Sequence, residues 1–274
     1  MKLSMLNMMP LVLSILVLTT STFATANAFN DKEMVSIPSG EFTRGCTREN
    51  ASFECLPEAL PSSSIYVSHF KIDKYPVTFK RYNECLSSGT CSDLFFGGGC
   101  NSGMPWNKDH PVNCVTYHQA ETFCRWDGGK QLPTEAQWEK AARGTDKRNF
   151  PWGNATPNCD LATMSAKNTP GKMLPGCGMG TSNSVNSKPK GASPYGVMDM
   201  VGNIWEWTSD NYDEDYFQTS PKKDPQGPVQ KTGYKVLKGA SWMMREAIGM
   251  DISVKAAYAP EGQGYIVGFR CVKN

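Results

Sequence analysis

The segment Asp199-Met200-Val201-Gly202-Asn203-Ile204-Trp205-Glu206 has the side chains of a hard-cation site. Calcium takes roughly six to eight oxygens from carboxylates and backbone carbonyls. Asp199 and Glu206 can supply carboxylates, and an irregular turn can aim the carbonyls of Gly202 and Ile204 inward. The plain alternative is that both carboxylates bond turn amides while Trp205 and Trp207 fill the core. Further on, Gly239-Ala240-Ser241-Trp242 leads into Met243-Met244. Two thioethers suit copper(I), but neighbours in a chain need not face the same way, so packing is the expected role. Ser241 is a weak nucleophile candidate. Its run lacks the second glycine of a nucleophile elbow and has no strand-to-helix context, which leaves turn bonding. His69, His110 and His118 would need a coincidence of folding to share a metal. Gly97-Gly98-Gly99 has no Lys-Ser/Thr after it and reads as a loop, not a phosphate cradle.

Ten cysteines add a second kind of chemistry. They are Cys46, Cys55, Cys85, Cys91, Cys100, Cys114, Cys124, Cys159, Cys177 and Cys271. The number is even and no Cys-x-x-Cys occurs, which argues against a zinc knuckle or a redox dithiol and for disulfides. Short-range closure favours Cys46–Cys55, Cys85–Cys91, Cys100–Cys114 and Cys159–Cys177, leaving Cys124 with Cys271. Other connectivities stay open on sequence alone.

Disulfides imply an oxidising compartment, and residues 1–28 read as the address. Lys2 is the one charge there, residues 8–18 (MMPLVLSILVL) are apolar, and Ala26-Asn27-Ala28 offers small residues for cleavage. The apolar run is shorter than the roughly 20 residues a membrane-spanning helix needs. The expectation is a signal peptide over 1–28, one domain over 29–274, no membrane span after cleavage, and a periplasmic or secreted protein. A hydrophobic content of 39% can build a core, and a net charge of +2 gives no reason to expect nucleic acid as partner.

The positioning elements are partly legible. Residues 34–42 alternate like an edge strand that ends in a Ser-Gly turn, and residues 65–73 alternate again. Thr78 can cap a short helix, and Ala120, Phe123 and Cys124 fit one buried face of a helix within 115–126. Thr134 and Gln137 form a capping box for a helix that runs to about Arg143 and stops at Gly144. From 151 onward periodicity fades into Gly-, Pro- and Asn-rich sequence, stapled by cysteines and rich in tryptophan.

Five stretches, taken in order, resemble the formylglycine-generating enzyme, or sulfatase-modifying factor, family. They are LPTEAQWEKAARG (132–144), FPWGN (150–154), GASPYGVMDMVGNIWEWTSD (191–210), LKGASW (237–242) and GFRC (268–271). The resemblance covers essentially all of 34–274. It implies an α+β fold: a single irregular domain related to C-type lectins, poor in regular secondary structure and stapled by disulfides. It also implies one calcium with ligands at Asp199, Gly202, Ile204 and Glu206, and the long-range Cys124–Cys271 disulfide. A second family calcium would lie near Thr163, Met164, Cys177 and Met179, where the needed aspartate falls on Cys177, so that ion is expected to be absent. Arg270 resembles a family position and is a weak catalytic candidate, equally suited to a buried cation near Glu206 or Asp199.

The departures decide the functional expectation. In the copper-dependent oxidases of the family, two cysteines follow the Gly-Ser-aromatic turn; here those positions hold Met244 and Gly249. A thiolate site for copper(I) is gone, so copper is not expected, and Met244 is at most a weak catalytic candidate. The oxidases' extra disulfide would fall at Ala142 and near Val254, and both halves are missing. Trp106, Trp152, Tyr195, Trp205, Trp207 and Trp242 suit a groove for a peptide or sugar, or else the core. The reading that results is an exported binding or accessory module for a protein, peptide or glycan partner. The alternatives are an enzyme of the same fold with other chemistry, such as siderophore maturation or non-haem-metal oxidation, and an atypical sulfatase-activating oxidase.

Overall fold

Threonines start the three longer helices. In the computed structural model, which describes residues 30–47, 54–102, 105–168, 172–230 and 232–274, Thr78, Thr116 and Thr134 precede α1 (Phe79–Ser87), α2 (Tyr117–Trp126) and α3 (Glu135–Arg143). Each threonine hydroxyl accepts the backbone N–H three residues on, satisfying an amide that has no partner within the helix. Gln119 and Gln137 reach back to the amides of Thr116 and Thr134, completing two capping boxes. The box at Thr116 is written in the sequence as plainly as that at Thr134 but is not among the expectations above. A fourth helix, α4, is one turn (Tyr216–Thr219). The expected leader, 1–28, lies outside the described residues.

Eleven short strands follow in chain order among the described residues: β1 (Met34–Ile37), β2 (Gly40–Arg44), β3 (Ser63–Val67), β4 (Phe70–Asp73), β5 (Ala166–Asn168), β6 (Lys172–Leu174), β7 (Trp205–Asn211), β8 (Lys235–Lys238), β9 (Lys255–Tyr258), β10 (Val267–Gly268) and β11 (Val272–Lys273). They form a three-stranded sheet β1-β4-β11, a four-stranded sheet β10-β7-β8-β9, and the pairs β2-β3 and β5-β6. The edge strand expected in 34–42 ends before the Ser39-Gly40 turn, after which β2 begins, whereas 65–73, expected as one strand, is broken in two. Pro38 has no N–H for a ladder, so β1 ends as an edge strand and β2 turns away to pair with β3. At Ser68 both the amide and the hydroxyl bond the Asp224 carboxylate (2.6 and 2.8 Å), which separates β3 from β4.

All nine residues of α3 are buried, including Glu139, Lys140 and Arg143. An amphipathic stripe would leave these charges in water. Here β2, β3, β7 and β8 pack against the helix, and the charges are satisfied internally. Burial opposes ionisation of Glu139, but Lys238 (3.2 Å) and Arg143 (3.2 Å) outweigh it and hold the carboxyl below its ordinary range. Lys140 donates to the carbonyls of Gly40 and Val67.

Five disulfides join Cys46–Cys55, Cys85–Cys91, Cys100–Cys114, Cys124–Cys271 and Cys159–Cys177. Cys124–Cys271 ties α2 to the residue just before the last strand, and the other four bridges are local in sequence. Asp31–Asn274 form one unit.

Asp210 on β7 accepts the Glu135 N–H (2.9 Å) and the Ser209 hydroxyl (3.2 Å), and burial pushes its pKa from 3.8 up to about 7. Between those values the folded protein holds a proton that the unfolded chain has released, so stability falls as pH rises from about 4 to about 7. Asp210→Asn should flatten urea-unfolding stability across that window. An unchanged slope would mean that other groups set it.

Candidate functional site

The turn at 199–204 places two carboxylates at the head of β7. Gly202 adopts φ +83°, and a Cβ there would lie 2.6 Å from the Thr163 carbonyl, so the turn can close only on glycine. Glu206 is fully buried, and Arg270 grips it through Nε–Oε2 and Nη2–Oε1, both 2.7 Å; the Trp138 indole N–H adds a third bond at 2.8 Å. The rest of the Arg270 guanidinium donates to the carbonyls of Asp73, Lys74, Met198 and Asp199. Arg270 therefore has no donor left for a substrate and acts as a buried tie between the turn, the end of β4 and the C-terminal strands.

Asp199 is different. Its Oδ2 is buried without a hydrogen-bond partner, and burial pushes its pKa up to about 8, with Arg270 opposing and Glu206 adding to the rise. A buried carboxylate oxygen without a partner fits a hard cation, while the Gly202 carbonyl in the same turn accepts the Ile204 N–H at 2.7 Å. The fit at Glu206 is tighter, because its oxygens already accept from Arg270 and Trp138. Among the described residues, no three His, Cys, Asp or Glu side chains gather so as to hold an ion. A cation at this turn would depend on backbone carbonyls together with Asp199.

At the site of the second family calcium, the Thr163 carbonyl accepts from Asn203 N–H and the Met164 carbonyl from Cys177 N–H, with Cys177 in its disulfide. These bonds order the loop from within the protein.

Beyond β8 the chain turns through Ser241, whose hydroxyl accepts the Met243 N–H (3.3 Å). Ser241 is buried and bonded as a turn residue. Met243, Met244, Ile248, Gly249, Trp205 and Ile266 line a cleft of about 370 Å³. Positions 244 and 249 meet here: a Cβ on Gly249 would collide with the Met244 sulfur. The Met243 sulfur, on the same wall, takes the Tyr265 hydroxyl at 3.3 Å. The cleft shares Arg245 and Glu246 with a neighbouring one of about 640 Å³, which Met164, Met173 and Ser165 help to line.

The histidines lie apart in their contacts. His69 bonds the Ser36 hydroxyl, the half-buried His110 bonds Ser182 and is held below its ordinary pKa by burial, and His118 lies between Glu121 and Glu261. The six aromatic residues form no single surface either. Trp207 and Trp242 are core, Trp205 is buried at the edge of the cleft, Trp152 stacks on Phe150, Tyr195 is half-buried, and Trp106 is 75% exposed. Sequence reasoning missed Trp138 as a partner of Glu206. The available signal was Arg270 within an apolar stretch, since a buried guanidinium requires a carboxylate and further acceptors.

This is the disulfide-stapled α+β domain of the formylglycine-generating-enzyme fold. The chain belongs to the sulfatase-modifying factor enzyme 1-like domain family, whose model matches residues 19–274. It is 33% identical over 300 residues to a formylglycine-generating enzyme of Thermomonospora curvata, with 89% of this chain and 94% of that protein covered. It is 32% identical over 263 residues to the serine/threonine-protein kinase pkn1 of Chlamydia pneumoniae, covering 88% of this chain but 38% of the kinase. Among solved structures, PvdO from Pseudomonas aeruginosa superposes with a TM-score of 0.72 at 22% identity, covering 88% of this chain and 94% of that one.

Proposed function

We propose that this protein is an exported binding module that uses the Met243–Met244 cleft to hold a protein or glycan partner and does not oxidise cysteine. The observation that carries the reading is the contact between positions 244 and 249. Where the family's oxidases place two thiols, this chain has a thioether packed into the space that a side chain at 249 would need. Thioethers give the cleft a soft, adaptable apolar wall, a property suited to binding. Ser241 borders the cleft but is buried and bonded within its turn, and Arg270 and the histidines are committed to structural or surface contacts. The five disulfides support export. The purified protein, given copper(I), dioxygen and a Cys-x-Pro-x-Arg peptide, should yield no aldehyde. Turnover to formylglycine would overturn the reading.

The same reading places calcium at Asp199, with the carbonyls of Gly202 and Ile204 and a shared Glu206 oxygen. A ligand bound at about a hundredfold over its Kd adds about 2.7 kcal/mol, or several degrees in Tm for a domain of this size. EDTA should therefore lower the wild-type Tm, while Asp199→Asn should make Tm insensitive to EDTA. A wild-type Tm that EDTA leaves unchanged removes the ion.

A further inference from the structure

Between Glu121 of α2, the first turn of α3 and the β3–β4 junction lies a cavity of about 520 Å³ that shares no lining residue with the Met243–Met244 cleft. Small-molecule sites fall in the range of about 300–1,000 Å³. Segments far apart in the chain meet there: 67–69, 131–137 and 224–226, joined by Glu121, Ser209 and Asn274. The protein's own bonds fix the walls. Asp224 accepts from both Ser68 donors, the Thr134–Gln137 capping box forms one side, and Gln137 Nε2 donates to Asn274 Oδ1 at 2.9 Å. Asp224 sits at φ +46°, which residues other than glycine rarely adopt, and its N–H donates to the Tyr66 carbonyl at 2.9 Å. Backbone held in such a conformation is a feature of ligand-binding sites.

The lining selects the chemistry of the occupant. Among the described residues it holds four side-chain amides, Gln131, Gln137, Gln226 and Asn274, and three hydroxyls, Ser68, Thr134 and Ser209. Amides and hydroxyls both donate and accept, and the ligand group that answers both roles is another hydroxyl. Gln131 and Gln226 are exposed, and His69 uses Nε2 on the Ser36 hydroxyl (2.8 Å), which leaves Nδ1. Val67, Leu132, Ala136 and Pro225 add apolar wall that suits the carbon face of a ring. Glu121 and Asp224 bring negative charge with no lysine or arginine beside them in the lining, so a phosphate, sulfate or carboxylate would be repelled. An organic cation fits less well. Asp224 already accepts from Ser68 and Glu121 from the Tyr117 hydroxyl at 3.0 Å, and no Phe, Tyr or Trp of the described lining offers a face to a cation.

We propose that this cavity binds a neutral saccharide, with Gln131 and Gln226 bonding its hydroxyls and Asp224 accepting from another. It is a second site, and the inference stands or falls independently of what the Met243–Met244 cleft holds.

Saturation-transfer NMR on the purified protein, with glucose, galactose, mannose, N-acetylglucosamine and their disaccharides at millimolar concentration, tests it. At least one sugar should receive saturation. Its affinity should fall about tenfold or more in Gln131→Ala/Gln226→Ala, which removes two amide partners, and stay unchanged in the cleft variant Met243→Glu. Unchanged Tm confirms folding of each variant, and His69→Ala is the replacement if the double variant is unstable. Saturation of none of these sugars overturns the inference. Binding weakened by the cleft variant alone also overturns it, moves the sugar to the cleft and leaves the binding-module reading intact. Sensitivity to both variants overturns the separate site, and sensitivity to neither puts the sugar elsewhere on the protein. Glutamine-dependent binding of spermidine or glucuronate in place of the neutral sugars would assign the cavity to a cation or an anion and likewise overturns it.

Discussion

Glu206→Gln should lower stability by roughly 3–5 kcal/mol in urea unfolding carried out in EDTA. Arg270 is wholly buried and pairs with both Glu206 oxygens, so the neutral amide leaves a guanidinium charge uncompensated in the interior. The amide also offers one oxygen where Arg270 and Trp138 now share two. The size of the loss comes from the unpaired charge more than from the pair itself. Combining Glu206→Gln with Arg270→Met should thus recover part of the loss, a coupling that a double-mutant cycle measures. A loss below about 1 kcal/mol would mean that the ion pair is not holding the turn. Because Glu206 supports the fold directly, its removal cannot report on calcium; Asp199→Asn is the variant that does.

Removing the Cys124–Cys271 bridge, by alanine at both positions, should cost about 5 kcal/mol on chain-entropy grounds. It spans 147 residues, so its loss frees most of the chain in the unfolded state. The same relation gives about 2 kcal/mol for Cys85–Cys91, which spans 6 residues. The two double variants, compared in urea, separate entropy from local packing. Equal losses would show that contacts around the sulfurs dominate.

What could be read from sequence was local. Thr134, Gln137 and Gly144 announce the limits of α3 because a cap involves neighbours within one turn, and Thr78 does the same for α1. The strands were less legible, since β4 takes β1 on one side and β11, at the far end of the chain, on the other. Alternation in 65–73 could not reveal that Asp224 would pull Ser68 out of line. The motif identified the turn, and Arg270 suited a buried cation near Glu206 or Asp199, yet neither revealed that Arg270 and Trp138 take both Glu206 oxygens while Asp199 keeps an oxygen without a partner. Met244 and Gly249 were visible as departures, but their collision was not, because it depends on how the η-type turn Ile248–Met250 folds back.

The contact between Met244 and Gly249 also constrains the routes by which a thiol pair could arise here. A cysteine introduced first at 249 meets the Met244 sulfur and requires that flexible, half-buried side chain to swing aside. A cysteine introduced first at 244 is the smaller side chain and opens the space that 249 then needs. Of the two orders, one must first displace a neighbour and the other makes its own room, so the present packing gives the history of the site a preferred direction.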